Sequence, residues 1–364
     1  GLQLLGGLSH ATTLFLMASG LTLIFGVTRI VNFAHGSFFM VGIYLAYTLI
    51  EHWGRSWGLA WSFWPLLLLA ALATGVLGAV VEILILRRIY KAPELFQLLG
   101  TFALVLIIKD AALWIWGPED LLGPRVPGLA GSVDILGRRF PSYDLFLIVV
   151  GPCVLGMLWL LLTRTRFGTL IRAATQDREM VGALGIHQSW LFTAVFALGC
   201  FLAGLGGAIQ LPREPANLGL DMLTIGDAFV VVVVGGMGSI PGAYVAALII
   251  AEIKALCVGI GTQEIFGVSF AFSKLTLVAE FLVMAVVLMV RPWGLLGRPQ
   301  APARHGGSAE APLVLGGNRQ TLAWCVIGAL LFALPTLTAS SPYSTVLAID
   351  LLTATLFAAS LHFI

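Results

Sequence analysis

The residues able to do chemistry in this chain are few, and they come in clusters. Within RIVNFAHGSFFMVG, residues 29–42, Asn32, His35 and Ser37 stand where an apolar run begins. A helix start presents unpaired N–H groups and the positive end of its dipole, so an interrupted helix at this place can face a solute carboxylate. The plainer use of the same residues is that Asn32 caps the helix and His35 bonds a neighbouring helix. Lys109 and Asp110 sit side by side in a second apolar run, with Glu82, Asp227, Glu252, Lys254 and Glu280 in others. Charges in such runs cost several kcal/mol if they meet lipid, so they face a cavity or one another. For Lys109 the partner is Asp110 or a residue of a neighbouring span, and an internal structural pair is as good a reading as a transport role.

Two further clusters are less charged. In VVVVVGGMGSIPGAYVAALIIAE, residues 230–252, Gly235, Gly236, Gly238 and Gly242 with Pro241 break an apolar run. Small residues allow helices to approach closely. The functional alternative is a hinge between two half-spans. In TLIRAATQDREMVGALGIH, residues 169–187, a polar, helix-favouring island lies between apolar runs. Leu170, Ala173, Ala174, Val181 and Leu184 fall on one side of a helix there. Arg172, Thr175, Gln176, Arg178 and Glu179 take the others, and Asp177 interrupts the apolar stripe. Gly182 and Gly185 can end the helix. Such a segment lies against a partner groove or the membrane surface, unless it is a solvated loop.

The elements that must position these clusters follow from composition. The chain has 364 residues, of which 59% are hydrophobic and 10% charged. A soluble fold of this length cannot hide that much apolar surface. A bilayer core of about 30 Å takes roughly 20 apolar residues as a helix. Spans are expected at 4–27, 33–50, 61–86, 94–116, 142–163, 189–211, 220–236, 240–258 and 274–290. The span at 240–258 is short and edged by glycine, which predicts a re-entrant or broken helix. The fold class is all-α, a polytopic helical membrane protein, and no alternating strands of a barrel are evident.

Basic residues set the orientation. With the first span starting outside, the inner connections hold Arg29, Arg87, Arg88, Lys91, Arg164, Arg166, Arg172, Arg178, Arg291, Arg298, Arg304 and Arg319. The outer ones hold Arg55, Arg125, Arg138, Arg139, Arg213 and Lys274, a bias of twelve against six. The polar island is therefore expected in the cytoplasm, and 117–141, rich in Gly and Pro, outside. Residues 300–317 read as a Pro-, Ala- and Gly-rich linker. Apolar segments at 321–337 and 345–364 follow. ASGLTLI at 18–24 aligns with AASLHFI at 358–364 at an offset of 340, which suggests the first two spans of a second, parallel repeat cut off at Ile364.

Several functions find no support. The net charge of +2 without a basic tract offers nothing to nucleic acid. Cys153, Cys200, Cys257 and Cys325 have no metal-binding spacing. There is no G-x-x-x-x-G-K-[ST], no H-E-x-x-H and no G-x-S-x-G. AGLGGA at 203–208 lacks the preceding strand of a dinucleotide loop.

The stretch GLTLIFGVTRIVNFAHGSFFMVGIY resembles the opening of the inner-membrane permeases of branched-chain amino acid ABC importers. WIWGPEDLLGP, VVVGGMGSIPGA and VRPWGLLGR resemble further landmarks of that family in the same order. The resemblance covers about residues 4–298. It implies a first permease unit over 1–299, a cytoplasmic linker over 300–317 and the start of a second, fused unit over 318–364. It implies a multi-pass protein of the bacterial inner (plasma) membrane that is itself no enzyme. ATP and Mg would be bound by two partner ATPase subunits, and a periplasmic solute-binding protein would deliver the small-molecule solute. RAATQDREMVGALGI is similar to the family's coupling loop, so Arg172, Ala173, Ala174, Gln176, Asp177, Arg178, Glu179 and Gly182 are the expected ATPase contacts. Arg172 stands where the general signature has Glu. The pathway residues on this reading are Asn32, His35, Ser37, Lys109 and Asp110. Many amino-acid permeases of the family have Glu where this chain has Ser37, and the family also carries urea, amides and aromatic acids. An ATPase-independent secondary transporter or channel is the rival from another class, with Lys109, Asp110 and the broken span at 240–258 serving ion coupling.

Overall fold

The computed structural model describes residues 2–297 except 55–57, 91, 136, 177 and 266–267, together with 328–329, 349 and 353. The linker and second repeat expected at 300–364 lie almost wholly outside the described residues. In chain order the helices are α1 (Leu2–Thr28), α2 (His35–Leu49), α3 (Leu59–Ile89), α4 (Glu94–Trp116), α5 (Ser142–Arg164), α6 (Arg166–Gln176), α7 (Arg178–Ala183), α8 (Gln188–Gln210), α9 (Leu220–Gly235), α10 (Ile240–Ile260) and α11 (Thr276–Val290). Each of the expected spans coincides with one of them. Seven are long and apolar enough to cross a membrane, α11 when the turn from Phe272 that leads into it is counted. The two that fall short are α2, with 15 residues, and α9, with 16.

The fold is all-α apart from two small hairpins. Strands β1 (Ser132–Ile135) and β2 (Arg138–Pro141) pair antiparallel, with Ser132 opposite Pro141. Strands β3 (Thr262–Ile265) and β4 (Val268–Ala271) do the same between α10 and α11. Neither appears in the helical reading of the sequence, because four-residue strands carry too little periodicity to register. Gly137, at φ +76°, supplies the left-handed turn that closes the first.

Helix α8 is the centre of the bundle and packs on α1, α2 and α3. Its glycines permit the approach. A Cβ on Gly204 would strike Thr74 of α3, and one on Gly42 would strike the backbone of Gly204. Helix α2 is buried along most of its length, including Phe38, Phe39, Met40, Ile43 and Tyr44. An element covered by protein on all sides has no lipid face, which is why its sequence is apolar all round.

Sidedness is internally consistent. At the expected outer ends, Leu121 bridges Ala216, and Arg213 pairs with Asp144 at 3.1 Å. At the expected inner ends, the α9–α10 turn meets the segment after α11. There Leu295 N–H donates to Val234 O at 2.8 Å and Leu296 N–H to Gly235 O at 3.1 Å. Thus VVVGGMGSIPGA and VRPWGLLGR, far apart in sequence, form one corner. Gly236, at φ +99°, has the backbone of Gly297 where a side chain would go.

The expected break within 240–258 is not there. Helix α10 runs unbroken for 21 residues, with Ser239 Oγ accepting from Gly242 N–H at 3.2 Å and proline in its first turn. The interruption lies ahead of it, at Gly236–Ser239, where a turn joins two complete helices. Gly235, Gly236, Gly238, Pro241 and Gly242 therefore sit at a turn between helices and do not divide a span.

Candidate functional site

The interrupted helix in this bundle is α2. Residues 29–34 are not helical, and α2 opens at His35. His35 Nε2 lies 3.0 Å from Met17 O, and its ring fills the space beside Gly20. Met17 is eleven residues from the Thr28 end of α1, about 16 Å at 1.5 Å per residue. The chain therefore returns to about mid-membrane before α2 begins. Both readings of the cluster hold in part. Asn32 Oδ1 accepts from Ala34 N–H at 3.1 Å and His35 bonds α1, as a cap and a structural histidine would. The helix start they hold is nonetheless deep within the bundle. His35 Nδ1, Ser37 Oγ and Asn32 Nδ2 are buried without a protein partner. Beside them, Thr28, Asn32, Tyr90, Gln97 and Thr101 help line a small, partly open space of about 10 Å³, the room of a single water. Burial first, then the charge of Glu82, holds the Tyr90 phenol above its ordinary range, so it stays a donor.

Lys109 does not pair with Asp110. Its Nζ lies 3.9 Å from Asp221 Oδ1, at the start of α9, while Asp110 is exposed. Asp221 is 1% exposed, and its Oδ2 has no partner. A Cβ on Gly36 would strike Asp221 O, so the first turns of α2 and α9 touch. Lys109 and Asp221 thus come together beside the α2 start that carries His35 and Ser37. Asp221 was legible only as an acidic residue at a span edge, which ordinarily signals helix dipole compensation.

Five other charged residues in or beside the spans partner one another. Lys254 Nζ lies 2.6 Å from Asp227 Oδ2 and 2.7 Å from Glu280 Oε2, tying α9, α10 and α11. Glu82, fully buried, holds Arg87 at 3.1 Å and accepts from Thr193 Oγ1 at 2.6 Å. Both oxygens of Glu252 lack a partner.

The polar island forms α6 and α7 at the inner ends of the bundle. The buried stripe of α6 is Gly168, Ile171 and Ala174, joined by Val181 of α7. This corrects the expected stripe: Leu170 and Ala173 are half-buried and Leu184 is 72% exposed. Ala174 faces its own subunit and is unavailable to a partner. The outward face carries Arg166, Thr169, Arg172 and Gln176. Asp177 and the side chains of Arg178 and Glu179 lie outside the described residues, and Gly182 packs against the Gln188 side chain. Two contacts link α6 to the end of α1. Arg29 Nη2 donates to Thr175 O at 3.5 Å, and a Cβ on Gly26 would lie 3.5 Å from Thr175 Cγ2.

A helical bundle with a buried polar helix start and an amphipathic segment across one end of its spans is the architecture of a polytopic membrane protein. The family follows from comparison with known proteins. Residues 3–291 match the model of the branched-chain amino acid transport system / permease component, and the chain belongs to that family. It is 28% identical over 310 residues to the high-affinity branched-chain amino acid transport system permease protein BraD of Pseudomonas aeruginosa, covering 82% of this chain and 96% of that protein. It is 25% identical over 314 residues to the corresponding protein LivH of Escherichia coli K12, with the same coverage. Autoinducer 2 import system permease protein LsrC of Yersinia pestis is 28% identical over 262 residues, covering 69% of this chain and 68% of that protein. No solved structure matches. The chain is a multi-pass inner-membrane permease component.

Proposed function

We propose that this chain is the membrane subunit of an ABC importer, passing a branched-chain or other hydrophobic amino acid from a periplasmic binding protein to the cytoplasm. ATP and Mg are bound and ATP is hydrolysed on separate ATPase subunits. The observation that carries the reading is the linkage from α6 to α2. An outward polar face, Arg166–Thr169–Arg172–Gln176, is backed by Ile171 and Ala174. Thr175 O accepts from Arg29, and its methyl lies beside Gly26, where the non-helical segment leading to His35 begins. A partner that pulls on α6 therefore pulls on the residues that hold the α2 start. A rigid, packed linkage transmits such a displacement because cores deform little.

Reconstitution tests this. The chain is combined in proteoliposomes with its ATPase and binding protein, and uptake of amino acid is followed with and without ATP. ATP-dependent uptake, with hydrolysis stimulated by the loaded binding protein, is expected. The rival reading, a transporter without an ATPase, draws on the intramembrane Lys254–Asp227–Glu280 cluster. It predicts uptake that follows an ion gradient and ignores ATP. Replacing the solute by urea, short amides or aromatic acids in the same assay separates the branches within the family.

A further inference from the structure

Lys109 is misplaced for a structural ion pair. It stands two turns from the Trp116 end of α4, about 10 Å into the span, with 39% of its side chain exposed. Asp110 beside it is exposed as well. Charges at that depth are not left to lipid, so this face of α4 meets water or protein. The contact to Asp221 is loose: 3.9 Å is within ion-pair range but beyond hydrogen-bond distance. Asp221 spends one oxygen on Met222 N–H at 2.7 Å, and the other, Oδ2, is buried with no partner. A permanent pair on a buried carboxylate needs that carboxylate's remaining acceptor satisfied to offset its desolvation, and here Oδ2 stays open. Gly36 brings the first turn of α2, and with it the positive end of the helix, against Asp221. Ser37 adds a buried hydroxyl with no partner.

From this geometry we infer that Lys109 and Asp221 form a recognition pair for the zwitterionic head of an α-amino acid. The solute carboxylate takes Lys109, and its ammonium takes the open oxygen of Asp221. The two protein charges close on each other when the solute leaves. In this way neither Lys109 nor Asp221 is left without a counter-charge, and the passing zwitterion keeps partners for both of its charges. A solute that lacks either charge gains only half of the exchange. The inference rests on the permease reading and narrows it to solutes that carry both charges.

The test uses the complete importer in proteoliposomes, with Cys153, Cys257 and Cys325 changed to Ala and buried Cys200 left in place. Lys109→Cys is expected to lower leucine uptake about tenfold, the loss of one charge-assisted contact. Aminoethyl methanethiosulfonate, which returns an ammonium to the position, is expected to restore uptake. The sulfonatoethyl reagent is not. Recovery by the first reagent also shows that the variant is folded. With Lys109 intact and a single cysteine at the neighbouring, exposed Asp110, millimolar leucine should slow labelling severalfold, whereas leucinamide, without a carboxylate, should not. An ion pair with a merely structural role would be indifferent to that difference. Asp221→Asn keeps an oxygen for Met222 N–H and gives an independent arm, with uptake again about tenfold lower. Equal protection by leucine and leucinamide, no recovery on aminoethylation, or normal uptake by Asp221→Asn overturns the pairing. If the unaltered protein shows no ATP-dependent uptake, the permease reading itself has failed, and the labelling arm still reports on the pair.

Discussion

The guanidinium of Arg29 reaches the carbonyl oxygen of Thr175 at 3.5 Å, joining the end of α1 to α6. Arg29 does so from a left-handed backbone, φ +57°, a conformation that costs a side-chain-bearing residue about 1 kcal/mol. The strained residue is also the first of the segment that climbs to the α2 start. Strain of this kind persists where the surroundings hold it, and at this position it lies between the outward face of α6 and the pathway residues.

Arg29→Ala is expected to leave the bundle assembled and to reduce transport per ATP hydrolysed about two- to tenfold, the worth of one modest hydrogen bond. Arg29→Gly removes the same guanidinium but suits the left-handed backbone. It should match Arg29→Ala in coupling and exceed it in thermal stability. Uptake and hydrolysis measured on the same proteoliposomes, with melting in detergent, check both statements. Normal coupling in both variants would remove Arg29 from the linkage.

The two faces of α6 should separate docking from folding. Arg172→Glu reverses a charge on the outward face and is expected to weaken co-purification with the ATPase about tenfold while the melting temperature holds. Ala174→Trp overfills a site that is 5% exposed, and is expected to cost about 1–3 kcal/mol of the subunit's own stability. If the tryptophan variant melts normally and only docking fails, the inward assignment of Ala174 is wrong.

Lys254→Met leaves Asp227 and Glu280 facing each other without their shared cation. Losing one partner of a buried ion pair costs about 3–5 kcal/mol, so a strong fall in thermal stability is expected. Glu280→Gln keeps Lys254 paired with Asp227 and should be far milder. Equal losses from the two changes would mean that the cluster does not act through its charge balance.

Sidedness is open to direct labelling. A cysteine at Gln176 is expected to react only from the cytoplasm and one at Ser132 only from outside, since both side chains are exposed. Impermeant maleimide applied to right-side-out and inverted vesicles decides it. Reversed accessibility would move α6 away from any ATPase.

Much of this arrangement was legible in the sequence. Each span from 4–27 to 274–290 coincides with a helix, because span length and hydropathy are local properties that the bilayer thickness fixes. The segments assigned to one side by the arginine bias do lie together, Gly26 being beside Thr175 and Gly238. What neighbouring helices decide was not legible. Nothing in NFAHGSFF states that α2 begins level with Met17, for depth depends on how far residues 29–34 climb beside α1. Lys109 stood next to Asp110 in the chain, yet adjacent residues on a helix point about 100° apart, and tertiary packing chose Asp221 instead. The stripe of α6 turned to Ile171 and Ala174 because α1, α5 and α8 supply the surface it lies on. The apolar side of a helix is broad, here from Phe167 through Leu170 and Ile171 to Ala174, and the sequence does not specify which part of it is covered most deeply. Only the shape of what it packs against does.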